Sequence, residues 1–274
     1  MDKKTSLPMK IVVYAIMMGY AVVALFPFLW AFYTSLRPTR EAYKLNFDLS
    51  NLSFSAYVDL IVKNDITRWY FNSFVIAVSV TILGVLLSTM AGYALARIDF
   101  AGKNLIFMCI LGVMMIPGQI TMIPQYMLLN RFGFVNSYVG LIVPFVFNAF
   151  NIFMMRQFFM SFPASLEEAA ELDGLSKIGT FFKIVLPLAK PALTTITIMS
   201  FMGSWNNFLM PNLLITSRDM YTLPVGMASL NSQYFSFPNQ TMAGAMLLSA
   251  PMIVVFLIFQ RYFIEGVTSS GIKE

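Results

Sequence analysis

The chain has 274 residues, of which 58% are hydrophobic and only 11% are charged. Soluble domains contain roughly 45–50% apolar and about 25% charged residues, so a soluble fold of this length could not bury so much apolar surface. The sequence has no histidine and a single cysteine, which excludes histidine-ligated metal sites, histidine-dependent catalysis and a disulfide framework. It also has no GxxxxGK[ST] phosphate loop. We therefore expect neither a metal nor a cofactor, and no nucleotide hydrolysis by this chain.

Six stretches of the chain lack Asp, Glu, Lys and Arg, and each approaches the ~20 residues that a helix needs to cross a bilayer. These stretches are 11–33, 74–96, 105–124, 138–155, 192–215 and 242–259. The first is longer than the apolar core of a signal peptide, about 7–15 residues, and is interpreted as a retained span. The sequence therefore predicts an all-α integral membrane protein with six transmembrane helices.

The basic residues predict that both termini lie in the cytoplasm. With the N-terminus inside, eleven Lys and Arg residues fall on the cytoplasmic side and seven on the outer side. Membrane orientation explains these scattered charges better than nucleic-acid binding does. The predicted organisation is an N-terminal span with an extracytoplasmic loop (1–70), a transmembrane domain (71–264) and a cytoplasmic tail (265–274).

Two features of the predicted spans concern helix packing. Small residues recur every four positions in the second span, at Gly84, Ser88, Gly92 and Ala96. Such a stripe lets another helix approach closely, and packing within the chain is favoured over contact with another subunit. In the third span, Pro117 and Pro124 predict a kinked helix.

The polar side chains inside the spans are amides and hydroxyls, with no ionisable group in any span core. Carriers coupled to ions usually place charged residues at membrane depth, so this composition argues against a secondary carrier acting alone. A membrane enzyme would need converging acidic or nucleophilic groups near a membrane face, and the sequence offers only the acidic cluster at 167–173, which helix capping explains. The amides are candidates for a solute path, with interhelical hydrogen bonding as the alternative for each. They are Gln119, Asn148, Asn151, Asn206 and Asn207.

The longest and most charged cytoplasmic stretch, 156–190, separates the fourth and fifth spans. Ser165 and Glu168 fit a capping box, with Ser165 as the N-cap of a short helix. Gly174 suits a left-handed C-terminal cap, and Ser176 can begin a second short helix. The sequence predicts two short helices joined by a tight turn at the cytoplasmic surface. An interfacial loop without a partner is the alternative.

This stretch matches the pattern EAA-x3-G-x9-I-x-LP, and it resembles the signature loop of the permease subunits of bacterial ABC importers. The matching residues are Glu168, Ala169, Ala170, Gly174, Ile184, Leu186 and Pro187. Further segments resemble the carbohydrate branch, and in particular the subunit that partners the larger permease in maltose-type and multiple-sugar systems. They include RWYFNSF (68–74), AGYALARIDFAGK (91–103) and SWNNF (204–208).

The resemblance implies the permease subunit of a heteromeric, ATP-driven sugar importer in the bacterial inner membrane. Such a subunit is not an enzyme, because ATP is hydrolysed on a separate chain. The implied partners are a second homologous permease, a homodimeric ATP-binding subunit, an extracytoplasmic sugar-binding protein and membrane lipid. An importer of a polyol or glycerol phosphate is an alternative. A phosphorylated solute would favour basic residues along its path, and the spans have none.

The resemblance also implies roles for individual residues. The helix at Glu168 would be a coupling helix that contacts the ATPase, and Gly174 would permit its turn. Ile184, Leu186 and Pro187 would set the return into the membrane. The implied secondary contacts to the ATPase are Gly266, Gly271 and Lys273. The outer loop at about 216–241, rich in aromatic residues, would meet the binding protein, with anchoring at the membrane interface as the alternative.

Overall fold

The structure is a computed structural model that describes residues 7–44, 46–230 and 237–271, with side chains up to residue 260. All regular secondary structure within these ranges is helical. The α-helices are α1 (Leu7–Ser35), α2 (Ser55–Lys63), α3 (Ile66–Arg97), α4 (Lys103–Met114), α5 (Gly118–Arg131), α6 (Tyr138–Val146), α7 (Ala149–Met160), α8 (Ser165–Leu172), α9 (Lys177–Thr180), α10 (Leu186–Leu188), α11 (Lys190–Trp205), α12 (Leu209–Leu214), α13 (Leu223–Leu230) and α14 (Pro238–Gly271). A π-helical turn, Phe181–Val185, joins α9 to α10, and a 3-10 turn, Arg218–Met220, precedes α13.

Four stretches of the described chain are long and apolar enough to cross a membrane. They are α1, α3, α6 together with α7, and the Pro238–Gln260 part of α14. Two further stretches qualify only if a bent pair of helices forms one span. α4 and α5 meet at 105°, and Lys177–Leu188 meets α11 at 77°. The all-helical, multi-pass membrane class is therefore confirmed, with between four and six candidate spans.

The predicted third span is divided by its first proline. α4 ends at Met114, and Pro117 adopts an extended conformation (φ −59°, ψ 126°) immediately before α5. A proline ring disfavours helical geometry in the residue before it, so the helix stops there and the chain turns through 105°. Pro124, by contrast, lies inside α5.

The chain forms two compact units, and the first comprises residues 1–66 together with 227–250. Its polar centre is Arg37, which is 2% exposed. The Arg37 guanidinium donates hydrogen bonds to the backbone oxygen of Asn46 (3.1 Å) and to its side-chain oxygen (2.6 Å). Asn239 donates to the backbone oxygen of Arg37 (3.1 Å). The bonds to Asn46 compensate part of the cost of burying the guanidinium, whose Nε atom has no hydrogen-bond partner among the described residues.

The second unit comprises residues 67–226 together with 251–274. Two apolar clusters form its described core, and α3 contributes to both. The first cluster contains Ile76, Val80, Leu129, Leu141, Met210, Leu214, Ile215 and Met220. The second cluster contains Tyr93, Met155, Phe159, Phe181, Val185, Ala189, Ala192 and Ile196. The second cluster lies beneath the predicted coupling loop and supports it.

The stripe of small residues on α3 packs against α6 and α7 of the same chain. A methyl group added at Gly92 would lie 2.7 Å from the Cβ atom of Met155, and one added at Gly84 would lie 3.3 Å from the Val146 carbonyl oxygen. These distances leave no room for larger side chains. Packing within the chain, the favoured interpretation of the stripe, is therefore what the structure shows at Gly84 and Gly92.

Candidate functional site

The predicted coupling loop forms a short helix, as expected, but its N-cap is not the residue that the sequence indicated. Ala164 caps α8 without a side-chain hydrogen bond, and Ser165 is already the first helical residue. The turn begins earlier because Glu167 and Glu168 both donate their backbone N–H groups to the Ala164 carbonyl, at 2.9 and 3.1 Å. The capping-box assignment of Ser165 is therefore wrong.

The tight turn predicted at Gly174 is present. Gly174 has φ = 83°, in the left-handed region that favours glycine. Its N–H donates to the Glu171 carbonyl (3.0 Å), and the N–H of Leu175 donates to the Ala170 carbonyl (3.0 Å). These two bonds close the last turn of α8 in the manner of a Schellman motif. The turn reverses the chain directly after the helix.

The segment that leads back to α11, called the return segment (176–188), begins at Ser176, as predicted. The Ser176 hydroxyl accepts a hydrogen bond from the Gly179 N–H (3.2 Å). The chain then passes through the π-helical turn, in which the N–H of Leu186 bonds to the Phe181 carbonyl. Ile184 and Leu186 are half-buried, whereas Pro187 is exposed at the second position of α10. Pro187 brings no N–H group, so its place at the start of a helix costs no hydrogen bond.

The helix α8 has one buried face and one exposed face. Ala170 is 5% exposed, and Glu167, three residues earlier, lies on the same face with its side chain 19% exposed. Glu168 and Ala169 are exposed, and Leu172 is 89% exposed. Among the described residues, no side-chain hydrogen bond or ion pair involves Glu168. The acidic residue of the EAA pattern thus points outward while its neighbour Glu167 points inward.

Glu167 binds two residues of α3 that sequence reasoning did not single out. Its Oε1 atom lies 2.9 Å from Nε of Arg97, the last residue of α3, and its Oε2 atom accepts a hydrogen bond from the Tyr93 hydroxyl (3.2 Å). The Arg97 N–H at Nε is not aligned for a hydrogen bond, so this contact is an ion pair. Nη2 of Arg97 donates to the Phe162 carbonyl (2.6 Å). The sequence signal for this contact was the four-residue spacing of Tyr93 and Arg97, which places both side chains on one face at the end of a helix.

The Tyr93 ring connects this polar contact to the second apolar cluster. It lies edge-on to Phe159 of α7 (5.5 Å between centroids) and packs against Phe181 of the return segment (4.8 Å). Four segments therefore meet at one aromatic side chain: α3, α7, α8 and the π-helical turn. Since the ring packs on the core and its hydroxyl reaches Glu167, the position of α8 is tied to the interior of the unit.

Two of the five candidate solute-path amides lie together at the start of α7, and one of them joins α7 to another helix. Nδ2 of Asn151 donates to the Ser200 hydroxyl (2.8 Å), which joins α7 to α11. Asn148 precedes α7, and its side-chain oxygen accepts the Asn151 backbone N–H (3.1 Å). Asn151 is 2% exposed. Asn148 acts as an N-cap, and Asn151 has the interhelical role that the sequence left open.

No hydrogen bond between described residues joins the other three amides to this pair. Gln119 is exposed in the first turn of α5. Asn206 ends α11 and is exposed, and the half-buried Asn207 lies in the break before α12. The structure therefore does not assemble the five amides into one polar site.

A second polar network holds the segment between α12 and α13. Asn72 of α3 donates to the carbonyls of Asp219 and Tyr221, both at 2.8 Å, and accepts a hydrogen bond from the Tyr138 hydroxyl (2.6 Å). The Trp69 indole N–H donates to the Arg218 carbonyl (3.0 Å). Residues 68–74, noted only for their resemblance, thus fix the backbone that leads into α13.

The Asp219 carboxylate belongs to this segment. The Ser217 hydroxyl hydrogen-bonds it and holds its pKa below the ordinary value.

Farther along the chain, residues 231–236 of the predicted outer loop lie outside the described residues. Gly266 and Gly271 lie within α14, and Lys273 lies outside the described residues.

Comparison with known proteins agrees with this architecture. A family model described as binding-protein-dependent transport system inner membrane component matches residues 84–269. The chain is 37% identical to the arabinooligosaccharides transport system permease protein AraQ of Bacillus subtilis, over 93% of each chain. It is 33% identical to the diacetylchitobiose uptake system permease protein NgcG of Streptomyces coelicolor, over 94% of this chain and 87% of that protein.

A solved structure has the same fold. It is the crystal structure of a bacterial ABC transporter involved in the import of the acidic polysaccharide alginate, with a TM-score of 0.82 and 26% identity over 94% of this chain and 98% of that one. The curated relatives are transport permeases, not enzymes. The resemblance drawn from residues 168–187 is thereby confirmed, and the chain belongs to the family of binding-protein-dependent transport system inner membrane components.

Proposed function

We propose that the chain is the permease subunit of an ATP-driven sugar importer in the bacterial inner membrane, where it forms half of the translocation path. A second, homologous permease would form the other half. A homodimeric ATP-binding subunit would supply energy, and an extracytoplasmic binding protein would deliver sugar. The family match over residues 84–269 and the exposed helix face at Glu168 support this assignment.

We further propose six spans with both termini in the cytoplasm. In this arrangement each bent pair of helices, α4 with α5 and the return segment with α11, crosses the membrane as one broken span. Helix breaks of this kind are tolerated where the freed backbone groups face protein or a wet cavity. The excess of Lys and Arg on the N-terminal side of the membrane supports a cytoplasmic location for α8.

The observation that carries the proposed coupling role is the outward face of α8. Glu168 and Ala169 are exposed on a short helix whose other face is packed against the unit. A partner could bind this face without unfolding the loop, and the carboxylate offers a charge-assisted hydrogen bond to a basic group of the ATPase. Gly174 would hold the turn, and the return segment with Ile184, Leu186 and Pro187 would pass the motion to α11. Gly266, Gly271 and Lys273 would add secondary contacts.

The proposed solute is a neutral oligosaccharide. The span cores lack ionisable groups, so sugar hydroxyls would be met by uncharged amides at separate places along the path, and the candidates are Gln119, Asn148, Asn151, Asn206 and Asn207. The relatives that are 37% and 33% identical are named for arabinooligosaccharides and diacetylchitobiose, both of which are oligosaccharides. Arabinotriose is therefore the first test compound, followed by diacetylchitobiose and by trehalose, for which another relative (33% identical) is named.

The test begins with the tagged chain purified from native membranes in mild detergent, together with the proteins that accompany it. We expect one homologous permease and two copies of a Walker-type ATPase, and saccharide uptake after reconstitution with the binding protein. Glu168→Lys should abolish uptake and ATPase recovery, whereas Asp99→Lys, an exposed charge reversal outside α8, should preserve both. Normal uptake with Glu168→Lys would refute the coupling role. Recovery of the chain alone, under conditions that keep a control transporter assembled, would favour a stand-alone carrier.

A further inference from the structure

The contact between Glu167 and α3 gives the loop a function beyond displaying Glu168. The two carboxylate oxygens of Glu167 contact different side chains, Oε1 facing Arg97 (2.9 Å) and Oε2 facing Tyr93 (3.2 Å). A carboxylate held at both oxygens has little freedom to rotate. Through these contacts α8 is attached to the last turn of the long helix α3.

Burial strengthens this attachment. The side chains of Arg97 and Glu167 are 17% and 19% exposed. Exposed ion pairs contribute little, because water screens the charges and the side chains must be ordered. A pair that is largely withdrawn from water is screened much less, and loss of one partner leaves the other charge uncompensated. The ion pair between Lys103 and Asp99, which is two residues beyond Arg97, provides a contrast because the Asp99 side chain is fully exposed.

Arg97 also holds the segment that leads into α8. Its Nη2 atom donates to the Phe162 carbonyl (2.6 Å), between the end of α7 and the start of α8. One guanidinium therefore contacts both the entry to α8 and its buried face. Tyr93 extends the connection to Phe181 of the return segment. The end of α3 thus holds the entry, the body and the exit of the loop.

We propose that Arg97, Tyr93 and Glu167 form a clamp that makes α8 and α3 move as one rigid body, so that displacement of α8 by the ATPase reaches the spans. This inference rests on the proposed coupling function. These are positioning residues, because Glu168 makes the contact with the partner and the clamp transmits its movement. Rigid-body transmission requires that the moving helix be fixed to the element it drives. Without the clamp, α8 would follow the ATPase while α3 stayed behind.

The test measures saccharide molecules transported per ATP hydrolysed by the complete reconstituted transporter. The substrate is labelled arabinotriose, or whichever of the three saccharides the wild-type transporter accepts. Glu167→Gln keeps the shape and the Tyr93 hydrogen bond but removes the charge, and Arg97→Gln removes the opposite charge. We expect each variant to lower the transport-to-hydrolysis ratio at least fivefold. The control Asp99→Asn, which disrupts the exposed pair, should change the ratio by less than twofold.

The reciprocal charge exchange decides between a clamp and a general structural role. Arg97→Glu combined with Glu167→Arg restores opposite charges in the same place. The double variant should therefore recover at least half of the transport-to-hydrolysis ratio, or of the assembly, that the single variants lose. A single variant with the wild-type ratio, or an exchange that recovers nothing, would overturn the clamp. Glu168→Lys separates the two proposals. If it blocks uptake while Glu167→Gln transports normally, only the clamp is wrong.

Discussion

The turn at Gly174 allows a quantitative test of how the loop is built. A side chain at φ = 83° brings Cβ close to the following carbonyl, which costs roughly 1–2 kcal/mol for an ordinary residue. A Cβ added at Gly174 would meet no atom within 4 Å, so the surroundings add no steric cost. Gly174→Ala should therefore lose about 1–2 kcal/mol from the closed turn, a roughly 5–30-fold shift toward the open turn. Gly174→Val should lose more, since β-branched residues resist positive φ.

Limited proteolysis measures this shift. Lys177 is exposed just beyond the turn, and trypsin cleavage tracks the population of the open loop when opening is fast. The cleavage rate at Lys177 should rise roughly 5–30-fold in Gly174→Ala and further in Gly174→Val. Gly174→Asn should change it much less, because asparagine tolerates the left-handed region. Saccharide uptake should fall in the same order.

Gly112 provides the matched control. It also has open space around its added Cβ, but it lies inside α4, where φ is helical. There Gly112→Ala should stabilise the helix by roughly 0.5–1 kcal/mol, and cleavage at Lys177 should not change. Equal cleavage rates in Gly174→Asn and Gly174→Val would refute the dihedral argument. Wild-type cleavage in Gly174→Ala would show that the turn does not need glycine.

Three further predictions concern packing and topology. Asn151→Ala removes the buried hydrogen bond to α11 and should lower the free energy of unfolding by about 1–3 kcal/mol, seen as a lower thermal midpoint in detergent. Asn206→Ala, at an exposed position, should lower that midpoint by a smaller amount. Gly226→Ala would press a methyl group against the six-membered ring of the Trp69 indole, and overpacking of this kind should cost about 1–3 kcal/mol in the same assay. With the native cysteine replaced, a cysteine at Asp173 should be labelled only from the cytoplasmic side and one at Thr216 only from outside. Labelling of both from the same side would refute the six-span arrangement.

The features that could be predicted from sequence depend on local chemistry. Runs of apolar residues without charges indicated the spans, because a helix in lipid must satisfy its own backbone and expose apolar side chains. Gly174 indicated the turn, since few other residues adopt its dihedral angle. Ser165 shows the limit of a local pattern. The four residues of the capping box cannot reveal that the chain already turns at Ala164, so the helix begins one position earlier than that pattern indicated.

Composition and short motifs indicated the class of the protein, its apolar stretches and the position of the predicted coupling loop, because these signals act within a few residues. The bends between helices and the different contacts of two adjacent carboxylates follow instead from packing between distant parts of the chain. Glu167 and Glu168 are chemically alike, yet one pairs with Arg97 and the other faces outward. The difference arises because packing of α8 against α3 and the second apolar cluster selects which helix face is buried, and these contacts join residues about seventy positions apart.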